Sequence, residues 1–322
     1  VGETMITKHA SNIEHCHHPV RYYERARNGM YDFLRALRQK NKLDYILLPS
    51  YIGYSPKDGS GVYDPVAQVQ GLKYEFYHVD LMLQIDMASV RTALESIKGQ
   101  SFVLLRMDYY GFTDSNAEAL YQLVHEYGGY VLEDNAHSIP DSRDIFGFWS
   151  DAVFYAMHKF LPLPKGGMLM LRHHDFRGLE LTGGLAPEVN SNLWEYDFSE
   201  IARIRRRNFE SLEECCKQYA HHFTSMRTLQ SDETTTPYSF PVILKHDDRF
   251  SLYNFLNEHG YGVTCLYYSI IEQIPTSVYP ESEYLSNHIL NFSIHQDVDA
   301  REYPAMLALI DEYYNGSGNC DK

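Results

Sequence analysis

The 322-residue sequence contains no G-x-G-x-x-G after any candidate strand, no C-x-x-C pair, and no apolar run approaching the roughly 20 residues of a membrane-spanning helix. The first absence disfavours a dinucleotide-binding dehydrogenase. The second, with an odd set of five cysteines (Cys16, Cys215, Cys216, Cys265, Cys320), argues against a disulfide framework or a cysteine zinc site and makes a reduced, cytoplasmic protein the expectation. Positive charge is also scarce. Lys and Arg number 28 against 43 Asp and Glu, so the formal charge of −15 argues against nucleic acid or an anionic membrane as partner. Anionic ligands would need local cationic or backbone-amide sites. There is no internal repeat or low-complexity segment. The opening Val1-Gly2-Glu3-Thr4-Met5 lacks a basic stretch followed by an apolar core, so the expectation is an unexported chain whose numbering is trimmed.

What is present alternates. Apolar runs at Tyr45-Ile46-Leu47-Leu48-Pro49, 74–79, 101–107, Tyr130-Val131-Leu132, 152–156 and 168–171 read as six strands before residue 175. Between them, 27–37, 90–97 and 116–125 have helical spacing. This predicts a layered α/β domain with a mainly parallel sheet over residues 1–200. Gly183, Gly184, Pro187 and several Asn residues between about 178 and 200 predict an irregular connector. A long helix follows, on which Ile201, Ile204, Asn208, Leu212, Cys215 and Tyr219 recur on one face while Arg203, Arg205, Arg206 and Arg207 are expected on a solvated basic side. An extended run at 239–244, a helix over 249–259, a further strand after Gly260-Tyr261-Gly262-Val263 and a last helix over 303–314 predict a small α+β domain over 201–322.

The chemistry gathers at strand ends. Asp134 ends the apolar run of Tyr130 to Leu132, and Lys159 follows the next run just before Gly166-Gly167. In an open α/β sheet, ligands collect at the carboxyl ends of strands, so an acid there faces the crevice. A carboxylate for a ring nitrogen and a lysine amine for an aldehyde are what pyridoxal phosphate requires. Taken singly, Asp134 reads equally as a turn or cap acid, and Lys159 as a surface lysine. Lys165 is a rival amine, although its place beside Gly166 suggests a loop. Arg27-Asn28-Gly29 at the head of the first helix would offer an anion free amides, a charge and an Asn side chain, unless Asn28 is simply a helix cap. Of the 27 tyrosines, Tyr109, Tyr110, Tyr267 and Tyr268 are candidates for a sugar site, with packing as their plainer role. Glu14-His15-Cys16-His17-His18, His173-His174 and His221-His222 look metal-like, but neighbouring ligands do not easily close one tetrahedral site, so no metal is expected.

From about Arg27 to the final helix the chain resembles the DegT-type sugar aminotransferases, which are fold type I pyridoxal phosphate enzymes. The resemblance rests on Glu133-Asp134-Asn135-Ala136-His137, Tyr155-Ala156-Met157-His158-Lys159 and Leu161-Pro162-Leu163-Pro164-Lys165-Gly166-Gly167, with echoes at Leu48-Pro49-Ser50-Tyr51 and Arg206-Arg207-Asn208-Phe209. It implies a three-layer large domain plus the small α+β C-terminal domain, and pyridoxal 5'-phosphate as cofactor. Lys159 would be the catalytic lysine that also binds the cofactor aldehyde. Asp134 would hold the ring nitrogen, His137 would lie against the ring or its 3-oxygen, and Arg27 and Asn28 would bind phosphate. A tyrosine after the first strand, Tyr51 or Tyr54, is the place to look for ring stacking. The implied reaction moves an amino group from a small-molecule amino donor, expected to be glutamate, to a nucleotide-linked keto-sugar, in a homodimer.

Three positions depart from the pattern: Ala156 where a serine usually donates to phosphate, Asp108 where histidine is common, and Lys165 in place of an acid. They motivate an alternative, a non-catalytic or altered member of the fold that binds a nucleotide sugar. Sugar dehydration, which in this family accompanies loss of the lysine, is opposed by Lys159.

Overall fold

A computed structural model describes residues 19–140, 149–185, 193, 195–229 and 235–317. In chain order the elements are β1 (Val20–Tyr23), α1 (Ala26–Gln39), β2 (Tyr45–Pro49), α2 (Tyr63–Gln68), β3 (Lys73–Tyr77), α3 (Met87–Ser96), β4 (Phe102–Met107), α4 (Ala117–Glu126), β5 (Tyr130–Asn135), β6 (Ala152–Ala156) and β7 (Gly167–Leu171). They are followed by α5 (Phe198–Cys216), β8 (Phe223–Ser225), β9 (Phe240–Leu244), α6 (Arg249–Glu258), α7 (Pro280–His288), β10 (Ile289–Phe292) and α8 (Tyr303–Ser317).

The first seven strands form one sheet in the order β1-β7-β6-β5-β4-β2-β3. The run β6-β5-β4-β2-β3 is parallel, while β7 is antiparallel to β6 and β1 antiparallel to β7. This is the mainly parallel α/β sheet that the alternation predicts. Strands β4 and β6 are buried at every position, as expected of central strands covered on both faces, whereas edge strand β3 alternates. Helix α1 buries Ala26, Met30, Phe33, Leu34 and Leu37, an i, i+3, i+4 stripe against the sheet. Its one buried acid, Asp32, accepts from Tyr23 Oη, Arg35 Nη2 and the amides of Thr182 and Gly183, which ties the helix to the start of the connector.

Strands β10, β9 and β8 form a second, antiparallel sheet. Three expectations are corrected. β1 adds a seventh strand before residue 175, and α2 and α7 add helices. The segment after Gly262 does not become a strand, since Thr264 makes only an isolated bridge to Asn291, and the third strand of the sheet is the short β8 instead. Arg205 is not on a solvated side of α5. It lies with Asn208, Phe209, Leu212 and Cys216 on the buried stripe and is 2% exposed.

Candidate active site

A cavity of about 320 Å³ opens at the carboxyl ends of β4, β5 and β6. Met107, Asp134 and Ala156 come from those three strand ends, Arg25 to Arg27 from the head of α1, Ile52 and Gly53 from the loop after β2, and Leu266 and Tyr267 from the later chain. Register explains the convergence, because Met107 pairs with Asp134 and Asp134 with Phe154 across the parallel ladder. The structure therefore brings Asp134, His137, Lys159 and Arg27 to one cavity.

Asp134 is 7% exposed. Its Oδ1 accepts from the Ala136 amide at 2.9 Å, and among the described residues its side chain has no other hydrogen bond. Burial raises the carboxyl to about 6, against the lowering effects of that amide and of Lys159. A buried acid with its second oxygen open to the cavity is suited to a cation that enters there.

Lys159 ends a short 3-10 turn, Met157 to Lys159, directly after β6. The turn is fixed by the Met157 amide on Gly166 O at 2.7 Å. Burial lowers the amine to about 8; Asp134 opposes the shift and Arg27 adds to it. The side chain still presents surface to the cavity. By surface the residue is exposed, so its amine stands in an open cleft, crowded by protein atoms yet reachable from solvent. Lys165, the rival amine, is paired with Glu24 at 2.8 Å.

His137 is sandwiched, its ring nearly parallel to Tyr238 at 4.6 Å and to Tyr110 at 5.9 Å. The Tyr110 amide donates to Nδ1 at 3.3 Å, so the neutral ring carries its proton on Nε2. Burial, with Lys159 nearby, holds the ring neutral. Tyr110 and Tyr267 both adopt left-handed backbone (φ 59° and 60°), which costs a non-glycine residue about 1–2 kcal/mol; Tyr267 lines the cavity and Tyr110 stacks on His137, while Asn41, Leu83 and Trp149 share this conformation elsewhere.

Two glycines make the walls possible. A Cβ on Gly167 would lie 2.3 Å from Arg25 C, where the chain entering α1 crosses β7. A Cβ on Gly53 would lie 2.3 Å from Tyr267 Cδ1. The Ile52 to Tyr54 loop is bridged to 269–271 through the Tyr54 amide on Ser269 O and the Ile271 amide on Ile52 O, which carries Tyr267 over the cavity. Neither Tyr51 nor Tyr54 lines it. Tyr51 is fully buried behind Tyr267, donating to its carbonyl at 3.2 Å, and Tyr54 is exposed.

Arg27 faces the cavity and is held by Asp58 O and Asp64 Oδ2. Asn28 does not face it. It is not the cap either: Arg25 is the N-cap, and Asn28, at the third helical position, accepts the Arg25 amide on Oδ1 at 3.1 Å. The helix amides that remain for an anion are those of the first turn, before Asn28. Ala156 lines the wall without a hydroxyl.

Asp108 sits outside the cavity. With Arg106, Glu133 and Arg172 it forms a buried charge cluster: Arg106 Nε to Asp108 at 3.0 Å, Arg106 Nη2 to Glu133 at 2.8 Å and Arg172 Nη1 to Glu133 at 2.9 Å. Thr113 also donates to Asp108 at 2.7 Å. The departure at Asp108 is thus a matter of the scaffold behind the sheet ends.

A second cavity, about 570 Å³, shares His158 and Lys159 with the first and runs along Tyr238 and residues 292–297. Arg205, which sequence reasoning placed in solvent, lies at its wall. Its guanidinium lies 4.3 Å from the Phe160 ring centroid, with Nε on Gln296 and Nη1 on the carbonyls of Pro237 and Tyr238. The signal was available: 205, 208, 209, 212 and 216 follow helical spacing as closely as the stripe chosen. Among the described residues, His173-His174-Asp175 and His221-His222-Asp311 each bring three potential metal ligands together, while the Glu14 to His18 cluster lies outside them. No described helix is long and apolar enough to cross a membrane.

No family profile and no curated protein matches the sequence. Solved structures do share the fold. The aminotransferase TlmJ from Streptoalloteichus hindustanus superposes with a TM-score of 0.72 at 17% identity, over 95% of this chain and 89% of that one. Helicobacter pylori PseC, an aminotransferase involved in the biosynthesis of pseudoaminic acid, gives 0.69 at 13%, over 93% and 87%. The E. coli GDP-4-keto-6-deoxy-D-mannose-3-dehydratase with bound hydrated PLP gives 0.67 at 16%, over 92% and 89%. The fold is the one these aminotransferases share with the dehydratase, as the resemblance implies.

Proposed function

We propose that the protein is a pyridoxal phosphate-dependent aminotransferase that moves an amino group from an amino acid, glutamate by expectation, to a nucleotide-linked keto-sugar. The observation that carries this reading is the convergence of Asp134 and Lys159 on one cavity, a buried carboxylate with its second oxygen open to the cavity beside a lysine amine. An amine near neutrality can alternate between acid and base at working pH.

The residues fit the cofactor at its ring and aldehyde ends. Asp134 would hold the ring nitrogen and His137 Nε2–H would donate to the 3-oxygen. Arg27 and the first-turn amides of α1 would take the phosphate. When bound, the cofactor supplies an electron sink for the carbon that loses or gains a proton. Lys159 Nζ takes that proton and returns it on the neighbouring carbon. Tyr267 forms one wall of the cavity. Arg205, on the cavity beyond Lys159, has Nη2 without a described partner and would meet a substrate anion.

The fold is common to transamination and dehydration, so Lys159 is what favours transamination. The altered, weakly binding reading keeps one supporting observation, the missing hydroxyl at Ala156, because Asp108 belongs to the scaffold. The test is to incubate the full chain with pyridoxal phosphate, 15N-glutamate and a panel of nucleotide-linked keto-sugars, reading label transfer by mass spectrometry. Labelled amino-sugar from wild type and none from Lys159→Ala supports the proposal. No product from any acceptor, with the cofactor bound, would favour the binding protein.

A further inference from the structure

On the far side of the second sheet, the turn between α5 and β8 presents His221 and His222 to the last helix, α8. Both Nε2 atoms reach a single oxygen, Asp311 Oδ1, at 3.2 and 2.9 Å. We infer that these three atoms form a binding site for a divalent cation of the zinc class, with solvent completing the coordination.

The spacing is close to what an ion requires. Bonds of about 2.0–2.1 Å in tetrahedral geometry put ligand atoms about 3.3 Å apart. Two of the pairs are already there within a few tenths of an ångström, and all three atoms lie within 4.8 Å of one another. Two imidazoles and a carboxylate select zinc, cobalt or nickel over magnesium or calcium, which prefer all-oxygen sites. The adjacency of His221 and His222 argued against a site when ligands from the turn alone were considered, but the third ligand comes from α8, about ninety residues away in sequence.

An outer set of partners is in place as well. Asn315 Nδ2 donates to Asp311 Oδ2 at 2.9 Å, which aims Oδ1 at the histidines. His222, 4% exposed, has its Nδ1 3.2 Å from His246 Nε2, and His246 is stacked on Tyr314 at 3.8 Å. That pair remains satisfied with or without the ion. Without it, His222 carries its proton on Nε2 toward Asp311, and Nδ1 accepts from His246. With it, Nε2 binds the metal, the proton moves to Nδ1 and His246 Nε2 accepts, so no charge is stranded. His221 is largely exposed and leaves a route for entry. The other cluster, His173-His174-Asp175, has His173 Nδ1 already taken by the Asp175 amide.

An ion here would fasten α8 to the turn before β8. The experiment titrates the metal-stripped full chain with Zn2+ by calorimetry, with Co2+ absorbance as second probe. Because the chain has 16 histidines, the readout is the difference between wild type and variants at exposed or half-buried ligands. His221→Ala and Asp311→Asn, folded by circular dichroism, should each lose one equivalent of Zn2+ and the Co2+ ligand-field band. His246→Phe, which keeps all three ligands, should weaken binding about 10–100-fold. Undiminished stoichiometry in His221→Ala and Asp311→Asn would overturn the inference, as would the absence of a Co2+ band in wild type.

Discussion

Asp134→Asn separates a residue built for a ligand from one built for the fold. In the cofactor-free protein Asp134 is raised from 3.8 to about 6 by burial. At about 1.4 kcal/mol per unit, its ionised form costs the fold about 3 kcal/mol at pH 7. The sign follows from proton counting. Above about pH 4 the unfolded chain ionises this group while the folded chain keeps its proton, so stability falls as pH rises from about 4 to about 6 and the loss is complete beyond that. Asn keeps the shape and carries no charge. The cofactor-free variant should therefore match wild type near pH 4 and exceed it by about 1–3 kcal/mol at pH 7, roughly 2 °C in Tm per kcal/mol for a chain of this size. Added pyridoxal phosphate should then raise the Tm of wild type more than that of the variant, because the ring cation's partner is gone while the other cofactor contacts remain. Thermal melts at pH 4 and pH 7, with and without cofactor, test both halves. A variant less stable than wild type by 2 kcal/mol or more at pH 7 without cofactor would show that Asp134 is a structural acid and refute the reasoning.

Ala156→Ser should restore a hydroxyl at the phosphate end and tighten pyridoxal phosphate by about 1.5–3 kcal/mol, tenfold or more in Kd by fluorescence titration. Gly53→Ala drives a methyl into Tyr267, at 2.3 Å before relaxation, and should cost about 1–3 kcal/mol in stability together with weaker cofactor binding, read in the same titration and by thermal melt. Arg106→Leu leaves Asp108 and Glu133 buried without their shared guanidinium and should cost about 3–5 kcal/mol in chemical denaturation.

The parallel sheet was legible because β6 is an unbroken apolar run and β4 is interrupted only by Arg106, as strands covered on both faces carry few polar positions to confuse the pattern. Asp134 and Lys159 were legible because strand ends in such a sheet point to one crevice. What escaped depends on partners remote in sequence. β1 is four residues long and exists by pairing with β7, and α2 is six residues. Asn28 was read as a phosphate ligand, or else a cap, because it stands at the apparent helix head, yet the helix begins at Ala26 with Arg25 as its cap, and the Asn28 side chain turns back to the Arg25 amide. Arg205 was assigned to solvent with the arginines around it, although Asn208, Phe209 and Leu212 place it on the buried stripe. Tyr267 was named only as one of four candidate sugar-site tyrosines, and its place over the cavity, where Tyr51 or Tyr54 was sought, depends on the bridge from Gly53 to Ile270.

The central claim is that Lys159 is the amine of a pyridoxal phosphate site, and absorbance tests it directly. Wild type titrated with the cofactor should develop a visible band that bleaches when glutamate is added. Lys165→Ala should behave like wild type, and Lys159→Ala should show no band. A band that persists in Lys159→Ala, or one that never forms in wild type, would contradict the account.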